Sequence, residues 1–82
     1  MDLRELTESI ILSIVNDKEI VAVKEFPTDE EDTILLEVLI SEEDMGKVIG
    51  KNGKVINAIR TLVQASSYIK DNKKVKINIG SI

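Results

Sequence analysis

The sequence contains no cysteine and no histidine among its 82 residues. Without cysteine, the chain can form neither a disulfide framework nor a thiolate metal site. Without histidine, it lacks the side chain that most often serves as a general base or a metal ligand. It also has no pairing of a nucleophile with a base, and no phosphate loop that ends in Lys-Ser or Lys-Thr. These absences predict that the protein is not an enzyme and holds no metal or cofactor.

Long apolar runs are missing as well. No stretch approaches the roughly 20 apolar residues that a membrane-spanning helix needs. The first five residues, MDLRE, lack the basic start and the apolar run of a secretory signal. We therefore expect a cytoplasmic protein. Its length and its 43% hydrophobic content predict a single domain over residues 1–82, with a core small enough to leave only about a few kcal/mol of net stability.

The charge is distributed unevenly along the chain. The net charge is −4, which by itself argues against a nucleic-acid partner. Residues 1–44 contain 3 basic and 14 acidic side chains, a net charge of −11, whereas residues 45–82 contain 8 and 1, a net charge of +7. Such an asymmetry points to a polyanion that binds the basic half. The alternative is that the two halves simply attract each other in the folded protein.

Three segments in the first half show the periodicity of regular structure. Asp2, with Glu5 three residues later, resembles a capping box, and the apolar residues that follow predict a helix over about 2–16. β-branched residues predict a strand over 19–26. Residues 33–40 are apolar on both faces, which is typical of a strand in the middle of a sheet. The expected buried stripe of the helix comprises Leu3, Leu6, Ile10, Ile11, Ile14 and Val15.

The second half predicts two helices and a strand. Ser41 and the acidic residues after it suit the start of a short helix that reaches about Ile49. A longer helix then runs to about Ile69, and alternating apolar and polar residues predict a strand over 73–80. The expected buried face of the longer helix comprises Val55, Ile56, Ile59, Leu62, Val63 and Ser66.

The predicted element order is αββααβ, which places the chain in the α+β class. A right-handed crossover makes strands 33–40 and 73–80 parallel neighbours. The first hairpin adds strand 19–26 antiparallel on the other side of the central strand. We therefore expect a three-stranded mixed sheet with three helices on one face.

The segment VIGKNGKVI, residues 48–56, is the most distinctive of the chain. Gly50 and Gly53 enclose two polar residues between two helical patterns, with lysines at 47, 51 and 54 around them. Glycine permits the left-handed turn that ends a helix, and it lets a ligand approach the backbone where the next helix starts. Unpaired N–H groups and the helix dipole favour anions there. The segment predicts a binding site for a chain of phosphates. The alternative is an ordinary tight connection between helices.

The longer string VIGKNGKVINAIR, after a strand and a short acidic helix, resembles the signature of the KH domain. In that domain a GxxG loop between two helices clamps about four nucleotides. The resemblance covers nearly the whole chain and extends to the element order of the prokaryotic, type II KH fold. It is strongest to the small single-domain bacterial group of the KhpA or YlqC type. This resemblance implies a cytoplasmic RNA chaperone or post-transcriptional regulator, acting as a homodimer or with a larger partner that contains Jag and KH domains.

The resemblance also implies a binding site. In KH domains the phosphate backbone lies along the GxxG loop, and the bases enter a narrow apolar groove beside a strand. Here residues 50–53 would form the clamp, one or two of the adjoining aliphatic side chains would line the groove floor, and strand 74–78 would form its far wall. The implied site residues are Gly50, Lys51, Asn52, Gly53, Lys54, Lys47, Val48, Ile49, Ile56, Arg60, Lys74 and Lys76.

Two features depart from the expected pattern. Residues 29–32 carry four carboxylates where KH domains have the variable loop beside the groove, and these would repel RNA unless they point away. Phe26 and Tyr68 are the only aromatic residues, so base stacking is expected to be unavailable. Both features favour weak, sequence-tolerant binding of single-stranded RNA. The alternative function is a KH-fold interaction module that dimerises and binds no RNA itself.

Overall fold

The computed structural model describes residues 2–82, so residue 1 of the predicted domain lies outside the described part. One sheet contains the strands β1 (Ala22–Pro27), β2 (Thr33–Ile40) and β3 (Lys74–Ser81) in that spatial order. Strand β2 pairs antiparallel with β1 and parallel with β3. The bounds of β2 and its central position agree with the prediction. Strand β1 begins three residues later than predicted, because residues 18–20 form a turn.

The helices in residues 2–82 are α1 (Leu3–Leu12), α2 (Met45–Ile49) and α3 (Lys54–Lys70). A short 3-10 turn, Glu42–Asp44, precedes α2. Helix α1 packs against β1 and α3, and α3 packs against β3, so the helices cover one face of the sheet. The predicted α+β class and the αββααβ order of the type II KH fold are confirmed. None of these helices is long and apolar enough to cross a membrane.

Helix α1 starts as predicted and ends early. The backbone N–H of Glu5 donates to Asp2 Oδ1 over 2.7 Å, which caps the first turn. At the other end, Lys18 Nζ donates to the carbonyl oxygen of Leu12 over 2.8 Å. The regular helix ends at Leu12, but the backbone N–H groups of Ile14 and Val15 still donate to the Ile11 carbonyl oxygen, over 3.0 and 3.1 Å, so helix-like turns continue to residue 15.

The core lies between the helices and β2, and it differs from the predicted stripes at particular positions. In α1 the buried residues are Leu3, Thr7 and Ile11. Thr7 can occupy this apolar face because its hydroxyl donates to the carbonyl oxygen of Leu3 over 2.8 Å. In α3 the prediction for Leu62 is wrong, since that side chain is 52% exposed. The residues that α3 buries are Ile56, Ile59, Val63 and Ser67.

Asp44 is a buried carboxylate that joins two turns. It accepts hydrogen bonds from the backbone N–H groups of Asn16 and Asp17, over 3.1 and 3.0 Å, and from the hydroxyl of Ser41 over 2.9 Å. The bond from Asp17, followed by that from Asn16, lowers the pKa of Asp44 below its usual value, and Ser41 and Lys47 act in the same direction against the effect of burial. The Ser41 hydroxyl therefore donates to this carboxylate, and the Ser41 side chain does not cap the 3-10 turn that follows it.

Candidate nucleic-acid interface

The loop between α2 and α3 requires left-handed backbone at three residues. Gly50, Asn52 and Gly53 have φ values of 77°, 58° and 74°. Helix α2 stops at Gly50, whose N–H donates to the carbonyl oxygen of Gly46 over 2.9 Å. Asparagine is among the non-glycine residues that tolerate this region best, which suits its place between the two glycines.

The two glycines of the loop are needed for different reasons. At Gly50 the backbone angles, φ 77° and ψ 172°, are accessible essentially only to glycine. A Cβ there would also collide with the Val55 side chain, whose Cβ would be 2.8 Å away. At Gly53 a Cβ would meet nothing closer than the Asn57 Nδ2 at 3.6 Å. Gly50 thus permits close approach of the loop to α3, whereas Gly53 supplies only the left-handed turn.

The start of α3 is open to an anion. Gly53 is its N-cap, and no side chain caps either this helix or the 3-10 turn (Lys51–Gly53) that precedes it. The N–H groups of Gly53 and Lys54 donate to the carbonyl oxygens of Gly50 and Lys51, and no N–H group at the start of this 17-residue helix has a side-chain cap. The helix dipole adds positive potential at the same place. Lys51 and Asn52 project from the loop as exposed side chains.

Three exposed lysines surround the loop, namely Lys47, Lys51 and Lys54. The ion pairs of residues 2–82 lie elsewhere, between Arg4 and Glu8 and between Lys76 and Glu30, so these three ammonium groups have no carboxylate within 4.0 Å. Their charge adds to that of the helix start. The arrangement can hold a phosphate chain without first breaking an internal ion pair.

The aliphatic residues beside the loop divide into two kinds. Val48 has no exposed surface and Ile56 has 5%, so both belong to the core and can affect a ligand only by holding the loop in place. Ile49 and Val55 are half-buried and pack against the outside of that core. Of the aliphatic residues implied by the resemblance, Ile49 is thus the one with surface for contact.

A shallow, open groove of about 450 Å³ lies between α3 and the outer edge of β3. The Arg60 guanidinium crosses it, since Nη2 donates to the carbonyl oxygen of Ile77 over 3.1 Å. One turn further on, the Gln64 side chain donates to the Lys73 carbonyl and accepts from the Val75 N–H, both over 2.9 Å. The lining residues are Arg60, Thr61, Gln64, Ala65, Tyr68 and Val75.

Lys74 and Lys76 do not line this groove. They alternate with Val75, so their side chains lie on the sheet face that the helices leave uncovered. Lys76 Nζ lies 3.6 Å from the Glu30 carboxylate, and the Lys74 N–H donates to the Asp32 carbonyl oxygen over 2.8 Å. The acidic loop 29–32 is therefore held against the first residues of β3, at the end opposite the glycine loop.

Four residues of the groove are not among the site residues predicted from the sequence, namely Thr61, Gln64, Ala65 and Tyr68. They share one side of α3 with Arg60, at spacings of one, four, five and eight residues, so helical periodicity from Arg60 is a signal that could have found them. The expectation that base stacking is unavailable stays a prediction, although one of the two aromatic side chains is exposed in the groove. Tyr68 lines the groove and is 54% exposed.

Comparison with known proteins agrees with this architecture. A family model described as KhpA/KhpB, KH domain, matches residues 4–79. The chain is 49% identical over 77 residues to the RNA-binding protein KhpA of Clostridium perfringens, a match that covers 94% of this chain and 99% of that protein. It is 39% identical over 77 residues to the RNA-binding protein KhpA of Thermotoga maritima, which covers 94% and 97%.

Solved structures share the fold at low identity. A crystal structure of Era in complex with MgGDPNP and nucleotides of 16S ribosomal RNA matches with a TM-score of 0.67 and 16% identity, over 96% of this chain and 29% of that chain. Aquifex aeolicus Era bound to GDP.AlF4- matches with a TM-score of 0.61 and 19% identity, over 99% and 31%. The likeness concerns the fold alone, and this chain spans less than a third of either Era chain.

Proposed function

The chain belongs to the KhpA/KhpB family of KH domains, and from this premise we propose that it binds single-stranded RNA through the loop 50–53. The observation that carries the proposal is the start of α3, which no side chain caps and where three lysines without a carboxylate within 4.0 Å surround a loop of left-handed glycines. The names of its relatives support the choice of RNA, since they are RNA-binding proteins. In this proposal the phosphates lie along the loop and accept hydrogen bonds from its backbone N–H groups.

The bases would follow the groove between α3 and β3. Ile49 would contribute apolar surface near the clamp. Arg60 would contribute its remaining guanidinium donors, since two of the five bonds that it can donate are to Asn57 and Ile77. Lys74 and Lys76, on the other sheet face, would add long-range attraction. Val48 and Ile56 would keep the loop in shape from within the core.

The proposed binding has low sequence specificity. Phosphate contacts fix the position of a nucleic acid without reading its sequence, and the clamp is the most strongly built part of this site. A protein that holds many single-stranded RNAs weakly is suited to act as an RNA chaperone or a post-transcriptional regulator. We propose that role for this chain.

Replacement of Lys51 and Asn52 by aspartate tests the RNA-binding proposal. Both residues are exposed loop residues, so the fold should survive, while the new carboxylates would stand where the phosphates are proposed to lie. Loss of RNA binding with an unchanged melting temperature is the expected result.

We further propose that the working unit contains two clamps. An apolar stripe on α3, comprising Ala58, Leu62, Ala65 and Ile69, is exposed at every position, and Ile69 is 86% exposed. A second copy of the chain, or a larger partner with Jag and KH domains, would cover this stripe and hold two loops on one RNA. Linked clamps raise the apparent affinity without new contacts. The same stripe favours the alternative that the protein is an interaction module alone. Light scattering measures self-association independently of RNA.

A further inference from the structure

Tyr68 presents an aromatic ring at the end of the groove that is farthest from the glycine loop. It lines the groove together with Gln64, Ala65 and Val75, and it is 54% exposed. A side chain that is more than half exposed on a groove wall has surface available for contact with a flat, apolar ligand. Nucleobases are such ligands, and they stack on tyrosine with little regard to sequence.

The backbone that carries Tyr68 is fixed to β3. Ser67, which has no exposed surface, donates its hydroxyl to the Lys73 carbonyl oxygen over 2.7 Å. The N–H groups of Asp71 and Asn72 both donate to the Ser67 carbonyl oxygen, over 2.8 and 2.9 Å. Gln64, one turn earlier, makes two hydrogen bonds to the edge of β3. Hydrogen bonds therefore hold the backbone that carries the ring in place, which reduces the conformational entropy that the protein would lose when a base stacks on the ring.

The distance from the clamp suits one RNA strand that contacts both ends. Tyr68 is 15 residues after Gly53, which is about 22 Å along the helix axis at 1.5 Å per residue. At the spacing of stacked bases, about 3.4 Å, this corresponds to about six or seven nucleotides, and to fewer if the strand is extended. A strand held at the loop would pass the ring within the length of a short oligonucleotide.

We propose that Tyr68 is a stacking platform for one base of the single-stranded RNA, at the far end of the groove from the loop 50–53. The proposal rests on the proposed function, because it needs the RNA strand to enter this groove. Tyr68 would give the RNA a second contact, of a different kind from the phosphate contacts at the loop. The clamp holds phosphates and weakens with salt, whereas stacking depends on the base and is little affected by salt.

A rival occupant of this surface is a second copy of the chain. Ile69, the next residue, belongs to the exposed stripe of α3, and Ala65 belongs to both the stripe and the groove. If protein instead of RNA covers Tyr68, its environment will change on dilution of the protein alone.

The composition offers a direct probe, because Tyr68 is the only tyrosine and the chain has no tryptophan. Its intrinsic fluorescence therefore reports on this one ring. The probe ligand is a labelled RNA octamer of mixed sequence, compared with octamers that carry an abasic ribose at the first or the last position. Anisotropy of the label measures binding, and tyrosine emission, corrected for RNA absorbance, measures stacking.

We expect the intact octamer to quench Tyr68, and one of the two abasic octamers to bind with little quenching. Tyr68→Leu should weaken binding of the intact octamer by roughly 5- to 140-fold, the range that loss of one stacked base spans. Tyr68→Phe, which keeps the ring, should bind as the wild type does. Phe26→Leu is the matched control, since it removes the other large ring from the uncovered sheet face and should leave affinity unchanged.

The outcomes separate this proposal from the one on which it rests. If the octamer does not bind the wild type, the proposed function fails, and the stacking proposal fails with it. If it binds without quenching, or if Tyr68→Leu binds as tightly as the wild type, only the stacking proposal is overturned. A tyrosine signal that changes on dilution without RNA assigns the ring to a contact between copies and also overturns it.

Discussion

Single residues decide the shape of the loop and of its support. Gly50 is fixed both by its backbone angles and by the Val55 side chain, so no other residue fits without moving α3. Asn52 adopts left-handed backbone at a position that sequence inspection reads only as polar. The role of Asp44 could not be predicted either. Among four consecutive polar residues, 41–44, nothing in the sequence marks the carboxylate whose partners lie 27 and 28 residues away.

Asp44 gives the protein a stability that depends on pH. Its pKa in the folded state is lowered below the value of about 3.9 that an unfolded chain has, so its contribution is complete above that value and is lost as pH falls through the folded pKa. Asp44→Asn should lower the melting temperature at pH 7, because an amide replaces one acceptor by a donor that faces an N–H group. The difference in melting temperature between the two proteins should narrow as the pH falls below about 3.9 and through the lower pKa of the folded state.

Thermal unfolding followed by circular dichroism at pH 7 and at pH 2 measures the effect. Asp29→Asn is the control, since Asp29 is exposed and should contribute little at either pH. A deficit of equal size at pH 7 and pH 2 would show that the carboxylate charge is not what Asp44 contributes.

The helices and strands themselves can be predicted from the sequence more accurately than the face that each of them buries. Two-sided apolar alternation placed β2 in the middle of the sheet, since that pattern depends only on the strand's own sequence. The buried face of α3 was wrong at Leu62, because helical periodicity alone cannot tell which apolar side chains the sheet will cover. The groove was missed for a related reason. Gln64 is polar and looks solvent-facing until its two hydrogen bonds to β3 are seen.

The position of loop 29–32 determines how its negative charge should affect RNA affinity. Loop 29–32 contacts the first residues of β3, at the Tyr68 end of the groove and far from the clamp. We expect Glu30→Gln with Glu31→Gln to raise RNA affinity at about 0.01 M salt, where the screening length is about 30 Å, and to have little effect at 0.15 M, where it is about 8 Å.

Glu5→Gln with Glu19→Gln removes the same charge from exposed positions outside this loop and serves as the control. Anisotropy titrations of one labelled RNA at the two salt concentrations compare the variants. Equal gains in both would mean that only the net charge of the protein matters and that the loop has no special place.

At the scale of the whole molecule, the charge asymmetry is only partly used within the fold. The pair between Lys76 and Glu30 joins the basic half to the acidic half, at an N–O distance of 3.6 Å. Lys47, Lys51 and Lys54 form no such pair within residues 2–82. Lys47 attracts the Asp44 carboxylate of the acidic half, but attraction between the halves does not account for Lys51 and Lys54, which remain available to a polyanion.

The exposed stripe of α3 predicts self-association. Light scattering at micromolar concentration should give about twice the chain mass of 9.1 kDa. Leu62→Glu with Ile69→Glu should give the mass of one chain and keep the circular dichroism spectrum of the folded protein, because both side chains are exposed in the single chain. Its melting temperature should fall only by the stabilisation that self-association gives the wild type. A wild type that stays at one chain mass throughout this range would leave the stripe to a different partner.

The central claim is that RNA binds at the loop 50–53. It is tested most directly by measuring RNA affinity against salt concentration for the wild type and for Lys51→Asp with Asn52→Asp. Anisotropy of a labelled single-stranded RNA should give a wild-type slope of about −2 in log affinity against log salt, for about three phosphates at about −0.7 each. The double variant should show no measurable binding at any salt concentration. Ser9→Glu with Lys24→Asp makes the same change in net charge on exposed residues outside the loop and should keep the slope and most of the affinity. A loop variant that binds with the affinity and slope of the wild type would contradict the account.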